Sequence, residues 1–169
     1  MDDFDLEAAA PPGGRSETER AIDLAYKAAV RRERTVAELR TCLERKRVGP
    51  HAIDDAVAEL TRSGFLDDAR YARQFAEDKR QLEQWGSDRI ARDLRRRGIG
   101  PELVDAALCD SSHETELDTA LMVLQRRFPV APADDRERDR AWRLLVRRGF
   151  TPEVAYEAVR ALERRSEAA

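Results

Sequence analysis

Apolar residues recur at helical spacing along most of the chain, and they do so three times in one register. The pairs Leu39/Leu43, Ile90/Leu94 and Ala141/Leu145 stand at i, i+4 and predict a buried stripe on three helices. Each pair is followed by a proline, Pro50, Pro101 or Pro152, and these prolines lie 51 residues apart. Proline suits the first position of a helix, where a missing N–H loses no partner. A second apolar stripe then opens, with Ile53, Val57 and Leu60 in the first copy and Val154, Val159 and Leu162 in the last. A further helix precedes each pair. It is expected over residues 17–33 with Ile22 and Leu24, from Asp68 with Tyr71, Phe75 and Leu82 on one side, and over 113–128 with Leu117, Leu121, Leu124 and Phe128. No stretch sustains period-two alternation, so no strand is expected.

The pattern predicts an all-α fold, an elongated array of three tandem three-helix repeats. The repeats span 16–63, 64–112 and 113–165. Units this small bury a marginal core alone and gain by stacking. Gly98 and Gly149 are expected in the left-handed position that ends a helix; the first copy has Arg47 there, so its stop is placed at Gly49. Ser16-x-x-Glu19, Thr35-x-x-Glu38 and Ser111-x-x-Glu114 fit capping boxes at helix starts.

Composition adds a setting. Residues 1–15 hold four acids and an Ala-Ala-Ala-Pro-Pro-Gly-Gly run, which reads as a disordered acidic arm. The opening Met-Asp-Asp-Phe-Asp has the wrong sign for a signal peptide, and no apolar run is long enough to span a membrane. Cys42 and Cys109 are the only thiols and are expected to stay reduced, which places the chain in the cytoplasm.

Charge is distributed unevenly behind a net value of −3. The second helices are basic: 38–48 carries four bases and two acids, 89–99 five and one, and 140–150 four and none. The third helices over 50–60, 101–111 and 152–162 are net acidic. A helix-turn-helix reader would put that third helix in the major groove, where phosphates would repel it. A stripe of the basic second helices would instead suit nucleic-acid phosphate or an acidic protein surface.

Chemistry for catalysis is missing. His51 and His113 stand at no ligand-like spacing from either cysteine, so neither a metal nor another cofactor is expected. No Gly-x-Ser-x-Gly and no phosphate-binding glycine loop occurs. The acid pairs Asp54-Asp55, Asp67-Asp68 and Asp134-Asp135 suit capping or solvation better than proton transfer. The chain reads as a non-enzyme.

The segment Gly-Phe-Leu-Asp-Asp-Ala-Arg-Tyr-Ala-Arg-Gln-Phe-Ala-Glu-Asp-Lys-Arg at 64–80, with Trp-Gly-Ser-Asp-Arg-Ile-Ala-Arg-Asp-Leu-Arg-Arg-Arg-Gly-Ile at 85–99, resembles the RecX family of bacterial recombination regulators. Matching positions include Asp68, Tyr71, Ala72, Phe75, Gly86, Arg89, Ile90, Leu94, Gly98 and Ile99, with Lys79 or Arg80 filling one more. The family is also built of tandem three-helix repeats, so the resemblance covers residues 16–165. It implies that the chain, read as a monomer, binds the RecA recombinase filament on single-stranded DNA. It further implies that the chain modulates, chiefly inhibits, the ATPase, strand-exchange and coprotease activities of RecA. A second reading is direct binding of single-stranded or branched DNA. Candidate contacts are Arg73, Lys79, Arg80, Arg89, Arg92, Arg95, Arg96, Arg97, Arg143, Arg147 and Arg148, whereas Tyr71, Phe75, Ile90 and Leu94 have the spacing of core.

Overall fold

The computed structural model describes residues 16–109 and 112–167, and among them it contains nine helices and no strand. In chain order these are α1 Glu17–Arg31, α2 Val36–Arg45, α3 Pro50–Arg62, α4 Asp68–Glu83, α5 Ser87–Arg96, α6 Pro101–Leu108, α7 His113–Arg127, α8 Asp135–Arg148 and α9 Pro152–Glu167. The acidic arm expected at 1–15 lies outside the described residues. No described helix is long and apolar enough to cross a membrane.

The residues form two compact units. One comprises the chain up to Arg32 with Leu39–Leu66; the other comprises Glu33–Glu38 with the chain from Asp67 onward. In the first, α1 packs along α3, with Ala21, Ala25 and Ala28 buried on one side and Ala52, Ile53, Ala56, Val57 and Leu60 on the other. In the second, α4 packs along α6 and α7 along α9. Ile90, Leu94 and Val104 are fully buried in one cluster, and Leu124, Leu145, Ala155 and Ala158 in another.

The i, i+4 pairs at the head of each proline are all buried, as their spacing predicts. As predicted, α7 buries Leu121 and Leu124, whereas the first helices of the first two repeats depart from expectation. Alanines take their buried positions (Ala72 and Ala76 in α4), while Ile22, Leu24, Tyr71 and Phe75 are only half buried and Leu82 is 80% exposed. Small side chains let these helices lie close to their partners, so the bulky neighbours flank the contact and do not enter it.

Helix stops repeat in detail. The N–H of Val48, Ile99 and Phe150 donates to the carbonyl of Leu43, Leu94 and Leu145, five residues back in each case. Gly98 and Gly149 hold the left-handed position at φ 83° and 88°. In the first copy Arg47 adopts that conformation itself, at φ 59°, and Gly49 is the extended N-cap of α3. The stop expected at Gly49 is therefore misplaced: the closing hydrogen bond requires the residue before Val48 to turn left-handed, whichever side chain it carries. Arg47→Gly should stabilise the fold by about 0.5–1 kcal/mol, by removing the Cβ penalty of that conformation. Urea midpoints would measure it, and a destabilised variant would contradict the assignment.

Helix starts divide. Ser16 and Glu19 form the complete capping box. Thr35 Oγ1 caps Glu38 N–H, and the Glu38 carboxylate accepts from Arg97. Ser112 caps α7 through Thr115 N–H, one residue later than the expected Ser111, which lies outside the described residues. Asp67 and Asp134 are the N-caps of α4 and α8, in keeping with a capping role for the acid pairs.

Candidate functional site

The second unit is held together by a joint built twice, 51 residues apart. At its first occurrence, Thr35 Oγ1 donates to the Arg97 carbonyl at 2.7 Å, Val36 N–H donates to the Asp68 carboxylate at 2.9 Å, and Gly98 lies against Ala37. At its second, Gly86 N–H donates to the Arg148 carbonyl and Asp88 N–H to that of Gly149, each at 3.0 Å, while Ser87 N–H donates to Glu116 Oε1 at 2.9 Å. Both times the first turn of one basic helix meets the last turn of another: the Thr35 hydroxyl satisfies an end carbonyl in the first joint, and backbone donors do so in the second. An acid from the first turn of a neighbouring helix, Asp68 or Glu116, completes the cap. Burial pushes the Asp68 carboxyl above its usual range, against the lowering effect of the Val36 N–H. Its contribution to stability is thus greatest in acid and declines as pH rises through that elevated pKa.

The joints divide the predicted contact residues into two groups. Arg97 belongs to the scaffold: its guanidinium pairs with Glu38 at 2.8 Å, stacks over Phe75 at 5.0 Å, and its Nε is buried without an acceptor. Arg148 Nη1 donates to the Glu83 carbonyl at 3.0 Å. Arg80 Nη2 reaches the Ala107 carbonyl at 3.3 Å. Lys79 pairs with Glu83 and sits over the rings of Phe75 and Trp85, and Arg89 stacks on Trp85 at 3.8 Å. Such cation–ring contacts contribute about 0.5–2 kcal/mol each and fix the side chains. Arg96 and Arg143 make exposed pairs, with Asp93 at 2.9 Å and Asp139 at 2.7 Å. Exposed pairs of this kind hold little energy and exchange readily for an external anion.

Arg73, Arg92, Arg95 and Arg147 remain. All four are exposed, and none has an ion pair within the described residues. Arg73 rises from α4, Arg92 and Arg95 from α5, and Arg147 from the last turn of α8. The arginine-rich ends legible in the sequence are therefore mixtures of joint residues and free cations, and only a partner count separates them. Sequence reasoning missed Glu116 altogether and read Glu38 only as part of a capping box. Glu38 pairs with the Arg97 guanidinium and Glu116 accepts from Ser87 N–H, and neither long-range partner is signalled by residue order. Among the described residues no three His, Cys, Asp or Glu are grouped to hold a metal ion.

Known proteins match this chain at both levels. The family model for the second three-helix domain of RecX matches residues 67–108, and that for the third matches 114–159. A regulatory protein RecX of Trichlorobacter lovleyi is 36% identical over 137 residues, covering 76% of this chain and 89% of that protein. One from Halorhodospira halophila is 36% identical over 152 residues, covering 89% and 92%. The crystal structure of RecX from Lactobacillus salivarius superposes with a TM-score of 0.77 at 15% identity, covering 90% of this chain and 98% of that one.

Proposed function

Since the chain belongs to the RecX family of regulatory proteins, we propose that it regulates the RecA recombinase by binding the RecA filament on single-stranded DNA. It lowers the filament's ATPase, strand-exchange and coprotease activities, acting as a non-enzymatic monomer in the cytoplasm. The observation that carries this reading is the exposed, unpaired set Arg73, Arg92 and Arg95, in the repeat with the densest family signature. Lys79, Arg80, Arg89 and Arg97 are committed to internal contacts, so these three project from a stiff scaffold and lose little freedom on meeting an acidic surface.

Direct DNA binding through base stacking is less well supported. Trp85 already carries Arg89 and Lys79 on its ring. Trp142 is half buried and its Nε1 donates to the Pro152 carbonyl at 3.4 Å. Neither offers the open aromatic platform that single-strand binders use.

The test is RecA ATPase on single-stranded DNA, titrated with the wild-type chain and with the triple variant Arg73→Glu, Arg92→Glu, Arg95→Glu. The variant should keep its helical spectrum and need at least about tenfold more protein for half-inhibition, as loss of several interface charges implies. Equal inhibition by the variant would remove these residues from the interface; no inhibition by the wild type would remove the function. Saturation well below one chain per RecA would point to capping of filament ends.

A further inference from the structure

A row of cations lies on α8, outside the set just used. Arg136, Arg140, Arg143 and Arg147 follow one another at i, i+4, i+7 and i+11, all exposed. At 3.6 residues per turn they fall within about 60° of the helix circumference and span about 17 Å. An open groove of about 660 Å³ runs along the row. The three acids that share its lining are already engaged. Asp134 accepts from Glu137 N–H, Glu137 accepts from Ala133 N–H, and Asp139 pairs with Arg143. Arg136, Arg140 and Arg147 have no acid partner among the described residues.

The neighbouring side of α8 offers apolar surface. There a cleft of about 410 Å³ opens against α9, lined by Trp142, Tyr156 and Val159 with Arg138 and Arg160 beside them. Both of these arginines are tied to Glu163, and Arg160 lies 5.8 Å from the centre of the Tyr156 ring. Tyr156 nonetheless stays 58% exposed. Asp139 borders both the groove and the cleft, so the two are halves of one surface, cationic on one side and aromatic on the other.

We propose that this two-sided face of α8 and α9 holds the chain's own acidic segment, residues 2–7, which thereby controls access to the arginine row. The segment reads Asp-Asp-Phe-Asp-Leu-Glu, and residues 1–14 contain four acids and no base. Successive side chains of an extended backbone point to opposite sides, so Asp3, Asp5 and Glu7 share one side over about 13 Å and Phe4 and Leu6 share the other. Carboxylates about 6.6 Å apart along such a backbone suit guanidiniums about one helical turn apart. Phe4 and Leu6 supply an apolar anchor for the Trp142–Tyr156 cleft, without which exposed ion pairs would hold little energy. The alternation of acid and apolar residues in the segment thus matches the division of the face. A tethered ligand acts at high effective concentration, so contacts that are weak singly keep the row covered until a more acidic partner displaces the arm.

Fluorescence anisotropy of a labelled synthetic peptide of residues 1–15, titrated with the full chain, tests it. The full chain carrying Asp2→Asn, Asp3→Asn, Asp5→Asn and Glu7→Gln should bind this peptide at least about tenfold more tightly than the wild type, whose own arm competes. Adding Arg136→Gln, Arg140→Gln, Arg143→Gln and Arg147→Gln to that variant should weaken binding by at least about tenfold, and lysine at the same four positions should recover most of it, as a folding defect would not. A peptide with Phe4→Ser and Leu6→Ser should also bind at least about tenfold more weakly, through loss of apolar burial. No peptide binding by the neutral-arm variant, or equal binding with and without the four arginines, overturns the proposal. Equal affinity of the wild type and the neutral-arm variant overturns it too, because the arm would then leave the face open. Equal affinity of the serine peptide removes the cleft and with it the two-sided match. RecA takes no part in these titrations, so their outcome is independent of the function proposed above.

Discussion

Gly86→Ala is expected to destabilise the second unit by about 3 kcal/mol, the upper range for forcing volume into a packed site. A Cβ at this position would lie 2.2 Å from the Gly149 carbonyl oxygen and 2.3 Å from the Phe150 nitrogen. Both are backbone atoms, so no rotamer change relieves the clash. To make room, the joint must open and surrender the bond from Gly86 N–H to the Arg148 carbonyl and that from Asp88 N–H to the Gly149 carbonyl. Gly100→Ala is the control. Gly100 is also an extended N-cap, but nothing lies within 4 Å of its would-be Cβ, so its replacement should stay within about 0.5 kcal/mol of wild type. Urea unfolding would separate the two, and amide exchange at Asp88 should accelerate in the Gly86 variant alone. Equal stability of both variants would mean that α5 and α8 do not meet as described.

Phe150→Ala should cost about 3–5 kcal/mol, the range for emptying a buried aromatic site. Phe150 is 1% exposed and packs in the cluster formed by α7, α8 and α9. Ile99 and Val48 occupy the same place in the other two copies, and the three differ in size and depth. Ile99 is 3% exposed and Val48 only half buried. The alanine series should therefore fall in the order Phe150, Ile99, Val48, with Val48 losing less than about 2 kcal/mol. A flat series, read from thermal or urea midpoints, would show that the repeats do not share one packing scheme.

Much of this fold is legible in the chain because its signals are local. An i, i+4 apolar pair, a proline at a helix start and a glycine after an arginine-rich end each act through neighbours a few residues away. They repeat without gaps at 51 residues in the last two helices of each copy. Where side-chain signals failed, a backbone or packing requirement had taken over. Arg47 turns left-handed because the Val48–Leu43 hydrogen bond demands it. Leu82 stays in solvent because α4 meets α6 through alanines, and the first helices are where register drifts.

The basic helices show where the boundary falls. Arginine content, its position in the second helix of each repeat and the acidic sign of the third were all readable from residue order, since charge is a property of composition and periodicity. Division of labour among those arginines was not. Arg95 and Arg97 are two residues apart on one chain segment, yet Arg95 is free in solvent while Arg97 binds Glu38 across 59 residues of sequence and stacks on Phe75. Periodicity says which way a side chain points around its own helix, but whether an acid, a ring or water waits there depends on which other helix the packing delivers to that spot. That is a fact of three dimensions, and for this protein it decides which cations hold the scaffold and which stay exposed to solvent.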